Sequence, residues 1–203
     1  GAVRFDGKDM THLPMWRHAK AGMGYLSQEP SVFQRLTVEE NLLAILQTLP
    51  GLARAERRRR CDALLEQFGL KVKAREEART CSGGERRRLE IARALVTEPT
   101  LMLLDEPTLG LDVLGTQVII EFIELLKSQG KSVILCTHHL DEAERLCSRF
   151  GLMHRGRLVA EGTLAELRER SGCDSLMQIF LRWSTTGPLL SGHNQPSETP
   201  RGN

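Results

Sequence analysis

The chain has 203 residues, a formal net charge of +2 and 27% charged residues, enough to bury the core of one domain of ordinary size. That balance gives no general electrostatic attraction for nucleic acid, and 4% aromatic residues leave few surfaces on which bases could stack. The five cysteines, Cys61, Cys81, Cys136, Cys147 and Cys173, are scattered and odd in number, which reads as reduced thiols of a cytoplasmic protein; no run of about 18 apolar residues offers a membrane span, so a membrane role has to come through a partner.

Residues 2–27 read as short strands and turns: Val3 to Phe5, a turn at Asp6-Gly7, and the apolar Met23-Gly24-Tyr25-Leu26, together a sheet edge. Thr37 predicts a helix start, because its hydroxyl can cap the first turn while Glu40 reaches back in a capping box; the helix is expected to run to about Leu49. After the break at Pro50-Gly51, Leu64, Leu65 and Phe68 recur at helical spacing before Gly69, so about 30–80 is expected to form an inserted helical subdomain. Ser82 and Glu85 repeat the capping-box pattern ahead of a helical run from Arg86 to Leu95. Leu101 to Leu104 and Val133 to Cys136 are apolar throughout, the pattern of strands covered on both faces, and a helix between them implies a parallel pair. A hairpin is expected from Phe150 to Met153 and Leu158 to Ala160, turned at Arg155-Gly156, and then a short helix from about Leu164 to Arg170. One α/β domain over 1–183 follows, a mixed sheet with flanking helices, and 184–203, rich in Gly, Pro, Ser and Thr, reads as a disordered tail.

Two places carry chemistry. The strand ending at Leu104 delivers Asp105 and Glu106, and ligands of open parallel sheets gather beyond the carboxyl ends of the strands. One carboxylate there can hold a magnesium ion, largely through its water shell, while its neighbour orients or deprotonates an attacking water. Alone, the pair fits a capped, solvated turn equally well. At Ser82-Gly83-Gly84-Glu85, two glycines stand in the first turn of a helix, at a cost in helix stability, and let backbone amides approach a phosphate closely. The arginine runs Arg57 to Arg60 and Arg86 to Arg88 are interleaved with acidic and apolar positions, and read as solvated helix faces rather than a nucleic-acid surface.

In this order and separation the segments resemble the ATP-binding domain of ABC transporters. Cys81 to Glu85 resembles the family's signature, with Cys81 in place of the usual leucine, and Leu101 to Glu106 resembles its Walker B strand with the catalytic glutamate. Upstream, Tyr25-Leu26-Ser27-Gln28-Glu29-Pro30 resembles the Q-loop; downstream, Leu109-Gly110-Leu111-Asp112 resembles the D-loop and His138 the switch histidine. The resemblance covers roughly residues 1–170 and implies a P-loop NTPase-like mixed sheet with ATP and Mg2+ as cofactors. It implies that Glu106, His138, Gln28 and Asp112 take part in catalysis, with His138 reaching the terminal phosphate and Gln28 the metal and attacking water. It further implies that Ser82, Gly83, Gly84, Glu85 and Asp105 hold the nucleotide, Asp105 with Gln28 on the magnesium.

The same resemblance implies partners. A second ABC ATPase domain, in a homodimer or heterodimer, would place its phosphate loop under this chain's signature, and transmembrane subunits would anchor the pair at the cytoplasmic face of the membrane; no nucleic acid is implied. Phe33 and its neighbours resemble the surface that docks those subunits, and a place in the subdomain core fits Phe33 equally well. Ser82 to Leu95 is similar to lipopolysaccharide-export ATPases and Thr137 to Leu167 to sodium or drug exporters, which implies an exporter without fixing its cargo. A soluble translation-associated relative would show Asn-His-Leu-Asp where this chain has Leu109-Gly110-Leu111-Asp112.

A P-loop needs Gly-x-x-x-x-Gly-Lys and then Ser or Thr, between a strand and a helix. Gly130-Lys131-Ser132 has Leu125 at the place of the first glycine and a helix before it, so Gly130 is expected to end a helix and Ser132 to begin a strand. The resemblance places the true P-loop N-terminal to the segment Gly1 to Gly7. The sequence is therefore expected to be a fragment inactive by itself, and a non-catalytic interaction fragment is the main rival to an ATPase subunit.

Overall fold

A computed structural model describes residues 1–186 of the chain, which divides into two compact units, Gly1–His138 and His139–Asn203. In the first unit, β1 (Arg4–Phe5) and β2 (Lys8–Asp9) pair antiparallel about the turn Asp6-Gly7. A helix follows, α1 (Met15–Lys20), where the sequence predicts only strands and turns. Pro14 precedes it with the extended backbone of an N-cap, but the helix buries no residue, so it has no apolar stripe from which a helical period could be read.

Strand β3 (Met23–Leu26) lies beside β4 (Leu101–Asp105), and β4 beside β5 (Ser132–Cys136), in a three-stranded parallel sheet of order β3-β4-β5. The register sets Leu26, Leu104 and Leu135 side by side, so the three strands end level. Gly24 allows β3 to approach, since a Cβ there would overlap Met102 Sδ and crowd the ring of Pro99. The expectation that β4 and β5 are covered on both faces is corrected: Met102 and Leu104 are buried, Leu101 and Leu103 only half so, and Ile134 is 51% exposed. Successive strand residues face opposite sides, so this alternation means that one face is packed and the other open within the unit.

Helix α2 (Val38–Leu46) starts at Thr37 with the predicted capping box and passes into a turn before Leu49. After α3 (Arg54–Gln67), Gly69 takes a positive φ, and α4 (Gly83–Leu95) starts at Ser82 with the second capping box. Val38, Leu42 and Leu46 of α2, Cys61 and Leu65 of α3, and Leu89 and Ala92 of α4 share one hydrophobic core. Helix α5 (Val113–Ser128) leads from β4 to β5, as a parallel pair requires, and buries Ile119, Phe122, Ile123 and Leu126.

The second unit holds α6 (Leu140–Leu146), the antiparallel hairpin of β6 (Phe150–His154) and β7 (Arg157–Gly162), then α7 (Leu164–Ser171) and α8 (Leu176–Thr186). The hairpin turns at Arg155-Gly156, both at positive φ, as the sequence predicts. Its core gathers Phe150, Leu152, Val159, Leu167, Ile179 and Trp183. Helix α8 carries Ser184 to Thr186, where the tail was expected to start; the rest of that expected tail lies outside the described residues. No helix among the described residues is long and apolar enough to cross a membrane.

Candidate active site

Because β3, β4 and β5 are parallel and end level, the loops after them share one edge of the sheet. Gln28 follows β3, Asp105 ends β4 with Glu106 next, and Thr137 and His138 follow β5. Glu106 turns the chain sharply, at a φ of 41°, while its amide still donates to the Cys136 carbonyl at 2.9 Å. That turn brings its carboxylate onto the next strand end. Oε1 accepts from the His138 amide at 3.0 Å and lies 2.8 Å from His138 Nδ1, and the Thr137 hydroxyl donates to Oε2 at 3.3 Å. The Glu106 side chain is 19% exposed and that of His138 62%. A carboxylate so held is oriented by its own chain, and the imidazole beside it is largely exposed.

Asp105 accepts a long hydrogen bond, 3.3 Å, from the hydroxyl of Tyr25. Partial burial, and then the Asp105 charge, holds that phenol above its usual value. Sequence reasoning missed Tyr25 as a site residue, although its place near the end of a strand parallel to the acidic one was a usable signal. Cys136 is the cross-strand partner of Asp105; burial first, then Asp105 and Glu106, pushes its thiol up, away from a reactive thiolate. Gln28 is exposed in the loop after β3, and no side-chain hydrogen bond ties it to either carboxylate among the described residues. The oxygen donors of Asp105 and Gln28 are of the hard type that suits magnesium, and the one weak bond to Asp105 leaves most of its acceptor capacity available.

At the head of α4, Ser82 Oγ accepts from the Glu85 amide at 3.3 Å and Glu85 Oε2 accepts from the Ser82 amide at 2.8 Å. That amide bond chiefly holds the Glu85 carboxyl below its ordinary value. A Cβ placed on Gly83 or Gly84 would meet nothing within 4 Å, so the chain's own packing does not demand these glycines. The capping box engages the Ser82 and Glu85 amides, while those of Gly83 and Gly84 have no intrahelical acceptor and carry the positive end of the helix dipole, which leaves a surface that suits an anion. Cys81, beneath it, is 4% exposed within the helical core.

The run Arg86 to Arg88 departs from its expected solvated role. Arg87 is 6% exposed, because the helix turns it inward with Glu90, which is 4% exposed and lies 2.8 Å from its Nη1. On α3 the arginines do form a charged surface: Arg58 pairs with Glu39, Arg59 with Glu56, and Arg60 with Glu56 and Glu98. Asp112 caps α5 by accepting from the Gly115 amide at 2.7 Å, and the residues around it, Leu109, Val113 and Leu114, are 42%, 85% and 77% exposed. Phe33 is 48% exposed and lies under the Arg93 guanidinium, 4.6 Å from its ring centre, so it is no core residue. Gly130 ends α5 at positive φ, Lys131 Nζ donates to the Pro99 carbonyl at 2.8 Å, and Ser132 opens β5, in keeping with a helix stop rather than a phosphate loop.

The sequence profile of the family described as ABC transporter matches residues 1–109. The lipopolysaccharide export system ATP-binding protein LptB of Haemophilus influenzae is 40% identical over 163 residues, which are 80% of this chain and 68% of that protein. Among solved structures, the ATP-binding subunit of an ABC transporter superposes with a TM-score of 0.76 at 32% identity, over 91% of this chain and 77% of the other. A second, the ATP-binding cassette MJ0796 in a dimeric post-hydrolysis state with ADP and Pi, gives a TM-score of 0.69 at 27% identity, over 81% and 73%. The chain belongs to the ATP-binding domains of ABC transporters.

Proposed function

We propose that the chain supplies the catalytic strand ends and the signature turn to the ATPase that drives an ABC exporter. The observation that carries this reading is Glu106, set at the carboxyl end of the central strand and held between the His138 ring and the Thr137 hydroxyl. A carboxylate fixed there can accept the proton of a water attacking the terminal phosphate, which requires a group oriented before the substrate arrives. His138 keeps Glu106 in place and presents an exposed imidazole to the phosphate. Gln28 and Asp105 would hold magnesium, which neutralises phosphate charge when bound.

Two further surfaces support an assembly. The open first turn of α4 at Ser82 to Glu85 suits the phosphates of a nucleotide held by a second ATPase domain, and the exposed apolar Leu109, Val113 and Leu114 around Asp112 suit a protein neighbour. The half-exposed Phe33 is the surface proposed for membrane-spanning subunits, which would hold the domain at the cytoplasmic face. The likeness to a lipopolysaccharide export protein supports export as the direction of transport.

The test is Glu106→Gln in the assembled transporter. ATP should still bind, because the amide keeps the shape, while turnover falls by about 10²–10⁴-fold or more for want of a proton acceptor. Near-normal hydrolysis by that variant would remove Glu106 from the role of base.

A further inference from the structure

Helix α4 carries the signature turn at its head and, farther along, grips both of the loops assigned to catalysis. Arg87 Nη1 donates to the Ser27 carbonyl at 3.2 Å, on the residue before Gln28, and Nη2 donates to the Pro107 carbonyl at 2.9 Å, on the residue after Glu106. Glu90 Oε2 accepts from Arg87 at 2.8 Å, and its Oε1 accepts from the Ser31 amide at 3.1 Å. One turn on, Arg93 donates to the Ser31 carbonyl and stacks over Phe33. Residues 87 and 90, and 90 and 93, are each three apart, so the members of each pair are neighbours on the helix surface.

We propose that Arg87 and Glu90 form a positioning pair that locks the Gln28 loop, the Glu106 loop and the signature turn into one setting. A displacement of the signature turn, or of the surface around Phe33, then reaches Gln28 and Glu106 together. Stability alone explains the pair poorly. A buried ion pair gains little over apolar side chains of similar volume, and Arg87 Nε finds no acceptor among the described residues. What apolar residues cannot supply is a rigid planar fork that donates at once to carbonyls on two separate loops. Neither residue reaches the reacting atoms, so both act through Gln28 and Glu106, and the inference rests on the roles proposed for those two.

The test is hydrogen exchange by mass spectrometry on the 203-residue chain without nucleotide, comparing it with the double variant Arg87→Met/Glu90→Met and with Arg87→Lys. The double variant removes both charges, so no buried charge is left unpaired. Cooperative unfolding should persist while exchange in segments 27–31 and 106–109 rises together by about tenfold or more, and α4 itself stays protected. In the assembled transporter, kcat should fall by up to about 10²-fold, as misplaced catalytic groups do, with KM for ATP within about twofold. Unchanged exchange of both loops in the folded double variant would overturn the proposal, as would loosening confined to α4. Should the double variant not fold, Arg87→Lys decides, because it keeps the charge beside Glu90 without the fork. Faster exchange in at least one loop supports the pair's role, and unchanged exchange in both overturns it. Exchange is read without catalysis, so loosened loops beside a still-active Glu106→Gln would sink the assignment of the base and leave the tie standing.

Discussion

The signature turn and the strand-end cluster are prepared in opposite ways. At Ser82 to Glu85 the capping box closes the backbone within the chain, yet the space around Gly83 and Gly84 is empty, so the turn is finished structurally and open chemically. At the strand ends Glu106 is already engaged by His138 and Thr137, so its direction is set before any ligand arrives. The chain's own packing thus makes no demand for Gly83 and Gly84, whereas the direction of Glu106 is set by its neighbours.

The sharpest break in that comparison is Ser82→Arg. In a chain that also carries a complete P-loop, the long side chain fills the space kept open above the turn, and ATP-driven dimerisation should be lost while the domain stays folded. Light scattering with and without ATP reads the result, and undiminished dimerisation would mean that the turn meets no partner's nucleotide. A smaller effect separates two kinds of glycine. Gly24→Ala forces a methyl into Met102 and Pro99 and should destabilise by about 1–3 kcal/mol in urea denaturation. Gly84→Ala has room, and should leave stability unchanged or raise it by up to about 1 kcal/mol, while weakening ATP-driven dimerisation in a chain that carries a complete P-loop. Equal losses of stability at the two sites would erase the distinction.

The smallest effect is a pH dependence. The folded Glu85 carboxyl titrates below its ordinary value of 4.5, chiefly through the Ser82 amide, so the unfolded chain takes up that proton first as pH falls. Its contribution is therefore complete at neutral pH and is lost on descending from 4.5 through the folded value. The stability gap between the natural chain and Glu85→Gln should narrow over that window. A gap that widens on acidification would contradict the capping assignment.

What could be read in the sequence was what local chemistry encodes. Thr37 with Glu40, and Ser82 with Glu85, announce their helix starts, and an apolar run ending in two carboxylates announces a strand end. Arg87 was hidden because its carbonyl partners lie 60 and 20 residues away, and an arginine run looks solvated until those carbonyls are placed. The uniform apolarity of Leu101 to Leu104 overstated the burial of β4, since composition cannot say whether a second face is packed. In α8, by contrast, Leu176, Ile179 and Trp183 stood at helical spacing all along, a signal sequence reasoning passed over.

We propose that the strand ends and the signature turn serve an ATP site, while the phosphate-gripping pattern Gly-x-x-x-x-Gly-Lys with Ser or Thr does not occur among these 203 residues. Such a loop supplies a lysine and several amides to the phosphates, each charge-assisted hydrogen bond worth about 1.5–3 kcal/mol. Lacking three of them costs about 4 to 9 kcal/mol, or about three to six powers of ten in affinity. Calorimetric titration with ATP and magnesium should therefore show binding no tighter than millimolar for the 203-residue chain, and micromolar binding once it is extended upstream through a complete P-loop. Micromolar binding by the 203-residue chain alone would mean that Gly130-Lys131-Ser132 or another of its segments grips the phosphates.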